Sequence, residues 1–233
     1  MKMKFVLLGL AIAALGTNAF AQKKGWVDLS KGSIADNWHT YGSTTVSNAW
    51  TDADGVFHLE GATSENKDSR KGGDLITNQS YQNFELQLEW EISKEGNSGI
   101  IFLVQDDPQK YGATYLTGPE MQVLDNIAAS DNKLENHLAG ALYDIIGTAS
   151  VSKPKPVGEW NHARIILDNG HLQLFLNKVK TADVQLWTPE WDKLVAGSKF
   201  KTWSDFAKFK SGHIALQDHG HEVSYRNIRI KEL

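Results

Sequence analysis

The chain contains no cysteine among its 233 residues. That one absence excludes disulfides, thiolate metal sites, a cysteine nucleophile and a lipid-anchored cysteine. A surplus of positive charge is missing too: 24 Lys and Arg stand against 28 Asp and Glu, for a net charge of -4. A nucleic-acid surface needs a basic stripe, so no nucleic-acid partner is expected. Long hydrophobic runs are absent apart from residues 5–15, and that run is too short to span a bilayer, so no membrane span is expected. Gly-x-Ser-x-Gly, His-Glu-x-x-His and a phosphate-cradling glycine loop are lacking as well. These gaps argue against a serine hydrolase of the elbow type, a helical zinc protease and a nucleotide site. No repeat, low-complexity tract or linker divides the chain.

The apolar run follows Lys2 and Lys4 and precedes Ala19-Phe20-Ala21. Charge, apolar stretch and small-x-small triplet, in that order, predict a cleaved signal peptide over residues 1–21. The product, residues 22–233, is expected to be exported, periplasmic or secreted, and to form a single domain. A chain of that length can bury one sizeable core, and without disulfides it must depend on that core.

What is present is tryptophan (8), glycine (20) and one strand signal after another. The alternation over residues 83–92 is the clearest. Phe84, Leu86, Leu88, Trp90 and Ile92 share one face, and Glu85, Gln87, Glu89 and Glu91 the other. Gly96-Asn97-Ser98-Gly99 reads as a turn into the apolar strand 100–104. Asp168-Asn169-Gly170 predicts a hairpin between strands 160–167 and 171–176. Shorter strands are expected at 25–29, 55–59, 74–77 and 212–217, and a last one at 222–232 with a bulge where the apolar parity shifts. Two pieces look helical: Thr188-Pro189-Glu190 opens one, and residues 204–209 could make another. Both lie in a Trp- and Lys-rich insertion, 186–210, that reads as a lid or a surface cap. The pattern is all-β, a two-sheet antiparallel sandwich with one or two short helices. Its tryptophans are divided between core and sugar-stacking surfaces.

The most informative polar stretch is Gly118-Pro119-Glu120-Met121-Gln122-Val123-Leu124-Asp125. On a strand, Glu120 and Gln122 share one face while Met121 and Val123 face a core. Asp125 has the wrong parity to join them unless a bulge intervenes. The spacing i, i+2, i+5 is that of lectin-like jelly-roll glycosidases, but an amide and an aspartate stand where a two-carboxylate set would be. Asn136-His137 leads toward Tyr143-Asp144 in an expected strand, and Gln217-Asp218-His219-Gly220-His221 sits at a strand end. A carboxylate beside an imidazole suits proton transfer, although Asp218-His219 also suits a plain β-turn.

Taken together, these stretches resemble the 3-keto-disaccharide hydrolase domain family. The resemblance runs through 83–92, Gly96-Asn97-Ser98-Gly99, the Gly118–Asp125 stretch, Ala139-Gly140-Ala141-Leu142-Tyr143-Asp144, Gly158-Glu159-Trp160-Asn161, Ser198-Lys199-Phe200, 212–220 and Tyr225-Arg226-Asn227-Ile228. It implies a concanavalin A-like jelly roll that acts on disaccharides or other glycosides already oxidised at sugar C3. A sugar 3-dehydrogenase acting upstream is then an expected partner. A 3-keto group acidifies the C2 proton, so a base can form an enolate that expels the C1 oxygen. By motif position, Asp125 or Glu120 would be the base and Asp218-His219 would serve the leaving oxygen. Lys199, or a divalent metal held by Glu120, His137 and neighbours, would stabilise the enolate. Asn97, Gln122, Tyr143, Asp144 and Gln217 would contact the sugar. Two alternatives use the same cleft: a non-catalytic carbohydrate-binding module, and a conventional two-carboxylate glycosidase.

Overall fold

The computed structural model describes residues 25–148 and 150–233. The expected signal peptide lies outside the described residues. The chain begins with β1 (Val27–Asp28), α1 (Ile34–Asn37), β2 (Trp38–Thr40), β3 (Trp50–Ala53), β4 (Val56–Leu59) and β5 (Leu75–Thr77). β6 (Phe84–Ile92), β7 (Asn97–Val104), β8 (Glu120–Leu124), β9 (Asn161–Asp168), β10 (His171–Leu176) and β11 (Val179–Gln185) follow. Helix α2 (Pro189–Ala196), β12 (His213–Leu216) and β13 (Val223–Glu232) complete the order. The strands form two antiparallel sheets of a jelly-roll sandwich. One runs β11-β10-β9-β6-β13-β4-β3, with β1 also on β13; the other runs β2-β5-β12-β7-β8. Among the described residues no helix is long and apolar enough to cross a membrane.

Local chemistry explains the elements. The alternating β6 buries Phe84, Leu86, Leu88, Trp90 and Ile92 against the opposite sheet. The β9–β10 turn holds Asn169 at φ 49° and Gly170 at φ 82°, the left-handed pair that a two-residue hairpin requires. In α2 the Thr188 side chain caps Trp191 N–H at 3.2 Å, Pro189 sits at the first position and Trp191 anchors the helix in the core. The expected bulge in β13 lies between Arg226 and Arg229, with Asn227 at φ 53°. One contiguous apolar cluster fills the space between the sheets, with Trp38, Trp90, Tyr225, Phe57, Phe84 and Phe102 fully buried. A small second cluster of Ile76, Ile101, Val104 and Ala215 lies on the other side of the five-stranded sheet, beside the site described below.

Several expectations are corrected. Asn97, Ser98 and Gly99 are paired within β7 rather than forming a turn; the turn lies just before, where Gly96 N–H donates to Ser93 O at 3.0 Å. Tyr143-Asp144 lies in a turn, not a strand: Ile145 and Ile146 N–H both donate to Leu142 O, and Asp144 sits at φ 56°. Residues 204–209 form no helix; a 3₁₀ turn over Lys199–Thr202 occurs instead. β7 and β8 pair without a break from Asn97↔Leu124 to Ile101↔Glu120, so no bulge turns Asp125 toward Glu120.

Candidate active site

Glu120 and Gln122 project from the outer face of the five-stranded sheet, while Met121 and Val123 enter the core. Asn97 on β7 and Gln217, just past β12, share that outer face. With His219 they form the floor and one wall of a cavity of about 340 Å³. That volume lies at the small end of the range for ligand sites. Tyr143, Tyr115, Lys199, Phe200 and Trp203 supply the remaining walls from connections between strands.

The floor is built around Glu120. A Cβ on Gly99 would lie 1.9 Å from Glu120 Oε1, so the carboxyl lies directly over the neighbouring strand and only glycine leaves room for it. Glu120 is 7% exposed, and no hydrogen bond from the described residues reaches its carboxyl. Burial pushes its pKa up to about 8; Lys199 opposes the shift, and Asp74 and Asp131 add to it. The amides around it are also short of partners. Asn97 has no side-chain hydrogen bond among the described residues, and Gln217 Oε1 is buried without one. Gln122 Oε1 accepts only the Val123 N–H, at 3.2 Å. Buried polar groups are ordinarily satisfied. Three amides and a carboxyl left open around one cavity are a set that the hydroxyls of a sugar can complete.

The cover is fastened to the β8–β9 connection. Asp144 accepts the Lys199 backbone N–H through Oδ2 at 2.6 Å, and its Oδ1 lies 3.0 Å from His137 Nε2. His137 Nδ1 lies 2.6 Å from Asp131 Oδ1, and Tyr143 O–H donates to Asp131 Oδ2 at 2.8 Å. The Tyr143 ring packs on His137 with centroids 4.5 Å apart, and Lys199 Nζ rests 4.1 Å above the Tyr143 ring. Burial, then Asp131, raises the Tyr143 phenol pKa, keeping it neutral. Asp144 is thus a brace for the cover and does not line the cavity. The metal expectation does not fit: both His137 ring nitrogens are engaged by carboxylates. No group of three or more His, Cys, Asp or Glu among the described residues is arranged to hold a metal.

Two expected catalytic carboxylates lie outside the cavity. Asp125 accepts backbone N–H groups from Glu95 (2.9 Å), Ile127 (3.0 Å) and Ala128 (3.3 Å). Burial works against its charge, but these three donors outweigh it and hold the carboxyl below the ordinary range. Asp218 accepts Arg70 Nη2 at 2.7 Å, Gly220 N–H at 2.9 Å and Gly73 N–H at 2.8 Å. No hydrogen bond joins Asp218 to the His219 ring, so the sequence neighbours do not form a carboxylate–imidazole pair. His219 instead lies parallel to His221, centroids 5.5 Å apart. His219 is exposed overall, but partial desolvation at the cavity wall, then the His221 charge, lowers its pKa and favours the neutral ring at pH 7.

The structure therefore brings together Glu120, Lys199, His219, Asn97, Gln122, Tyr143 and Gln217, and leaves Asp125, Asp218, Asp144 and His137 in supporting positions. Sequence reasoning does not single out Arg70, Asp131, Tyr115 or Trp203. Arg70 and Asp131 carry no local signal, whereas Trp203 lies in the Trp-rich insertion that reads as a lid or a surface cap.

A family model for the 3-keto-alpha-glucoside-1,2-lyase-like domain matches residues 25–231. Over 229 residues the chain is 35% identical to the 3-keto-disaccharide hydrolase of Bacteroides thetaiotaomicron, covering 90% of this chain and 79% of that protein. Crystal structures of two Parabacteroides distasonis proteins assigned as glycosyl hydrolases are similar as well. One superposes with a TM-score of 0.79 at 27% identity, covering 90% of this chain and 94% of the other. The second gives 0.70 at 25% identity, covering 90% and 100%.

Proposed function

The chain belongs to the 3-keto-alpha-glucoside-1,2-lyase-like domain family, and from that premise we propose that it cleaves glycosides, disaccharides among them, already oxidised at sugar C3. The observation that carries this reading is the composition of the cavity. Among the described residues that line it there is one carboxyl (Glu120), one imidazole (His219) and one ammonium (Lys199). Ordinary glycoside hydrolysis uses two carboxyl groups flanking the bond. Elimination from a 3-keto sugar needs one base, one acid and one positive group, which matches the set present.

The protonation states support a particular division of labour, which reverses the sequence-based expectation for Glu120. At pH 7 His219 is neutral and Glu120 is mostly protonated, a pair whose environments push base and acid apart. His219 takes the C2 proton, and the C–H electron pair forms an enolate whose C3 oxygen faces Lys199. The enolate re-forms the ketone, the C1–O bond breaks with its electron pair, and the departing oxygen takes the Glu120 proton. An unsaturated ketone remains. If water adds at C1, ionised Glu120 accepts its proton and protonated His219 returns one to C2. Both groups are then reset and the net reaction is hydrolysis; without that step the outcome is a lyase reaction. A sugar 3-dehydrogenase is the class of enzyme that would supply the substrate. The signal-like residues 1–21 support export of the chain.

The test compares 3-keto-trehalose with trehalose. Cleavage of the keto sugar alone is expected; equal cleavage of the unoxidised sugar would return the site to ordinary hydrolysis. The division of labour is tested in deuterated water. Glu120→Gln should keep C2 proton exchange and recover activity on a nitrophenyl leaving group, while His219→Ala should lose exchange. The opposite pattern reverses the two roles.

A further inference from the structure

Trp203 lines two hollows. One is the cavity over Glu120; the other is an open depression of about 330 Å³ that also takes in Lys110, Leu116, Ser204 and Asp205. Tyr115 stands at the boundary, 43% exposed, its ring 5.9 Å from that of Trp203 and tilted by 36°. The Trp203 ring is backed from within. It meets Phe200 edge-on at 5.0 Å, and Phe200 stacks face to face on Phe206 at 3.8 Å. The Trp203 backbone N–H donates to Phe200 O at 2.9 Å. A large aromatic held this firmly, with part of its surface in water, is a platform rather than a frayed side chain. Polar groups stand beside it in a fixed arrangement. Lys110 Nζ lies 3.0 Å from Asp205 Oδ2, and Tyr111 O–H donates to the same carboxylate at 2.7 Å.

We propose that this depression is the aglycone subsite, and that it accepts a second pyranose ring. The inference rests on the reading of the cavity given above. A cavity of the volume found over Glu120 suits one sugar ring, so the leaving group must extend beyond it. Trp203 is the wall shared with the next hollow. The C–H face of a pyranose stacks on an indole, and Lys110 and Asp205 present a donor and an acceptor side by side for its hydroxyls. An aryl aglycone would use the platform but leave the polar pair idle.

The experiment measures kcat/KM of the full chain and of Trp203→Ala and Lys110→Ala on 3-keto-trehalose, methyl 3-keto-glucoside and phenyl 3-keto-glucoside. Trp203→Ala should lose about tenfold more on the disaccharide than on the methyl glycoside. Lys110→Ala, an exposed position that should not disturb folding, should lose about threefold more. Equal losses on all three substrates would reduce Trp203 to a support of the cover and overturn the subsite. A larger loss on the phenyl glycoside would overturn the choice of a sugar. If the wild-type chain cleaves none of them, the proposed reaction fails, and the subsite is then read by titration with trehalose. Affinity about tenfold weaker in Trp203→Ala supports it, and equal affinity overturns it.

Discussion

Replacing Glu120 by Gln should abolish turnover on alkyl glycosides and at the same time make the protein more stable, by an amount that grows with pH. The carboxyl ordinarily titrates at 4.5, and in the folded chain burial raises this to about 8. Below 4.5 both folded and unfolded chains hold the proton. Between the two values only the folded chain does, so the unfolded state gains from ionisation and stability falls as pH rises, by about 1.4 kcal/mol per pH unit. Above about pH 8 both forms are ionised and the loss levels off. The full interval gives an upper bound of about 5 kcal/mol, and water reaching the cavity reduces this to about 1–3 kcal/mol. Gln carries no such charge, so the difference between variant and wild type isolates this one group. Asp74, whose buried carboxyl is raised to about 6, titrates in both proteins, so its contribution cancels apart from its charge coupling to Glu120. The assay is urea unfolding followed by tryptophan fluorescence at several pH values between about 5 and 9. A stability difference that stays flat over that range would refute the reasoning, because Glu120 would then be ionised in the fold throughout.

Gly99→Ala places a methyl group where Glu120 Oε1 lies, and the flexible carboxyl can swing away. The fold should survive, by circular dichroism, while kcat/KM falls about 100-fold. Asp125→Ala removes the acceptor of three backbone N–H groups and should cost about 1–3 kcal/mol in urea unfolding, with turnover within a few-fold of wild type. Arg70→Met leaves the Asp218 carboxylate, 4% exposed, without its cation. A loss of about 3–5 kcal/mol is expected in the same assay, because removing one partner strands a buried charge.

The parts of the fold legible in the sequence are those whose cause is local. The alternation of β6, the Asn169-Gly170 turn, the Thr188 cap and the parity shift in β13 each depend on a few adjacent residues. Gly99 misled for a physical reason: glycine signals a turn, but here it makes room for a side chain from the next strand. The edge strand β11 escaped because its outward positions are polar and carry no clear run. At the site, Glu120 and Gln122 are legible because strand parity puts them on one face, whereas Asn97 and Gln217 come only from the family resemblance, since the glycines around Asn97 read as a turn. Asp218-His219 is not legible, because adjacent residues need not point the same way and the true partner of Asp218 is Arg70, 148 positions away.

The floor and the cover of the cavity have separate origins. Asn97, Glu120 and Gln122 come from the paired strands β7 and β8, and Gln217 directly follows β12, so a change there disturbs a strand partner. Lys199, Phe200 and Trp203 come from a connection that tolerates exchange. Apart from Lys199, chemistry and selectivity can therefore be inherited independently. A lineage can keep the reaction fixed by holding the sheet residues, His219 and Lys199, and recruit new leaving groups by redrafting the surroundings of Trp203; exchanging those surroundings between relatives with Lys199 kept should carry leaving-group preference with it.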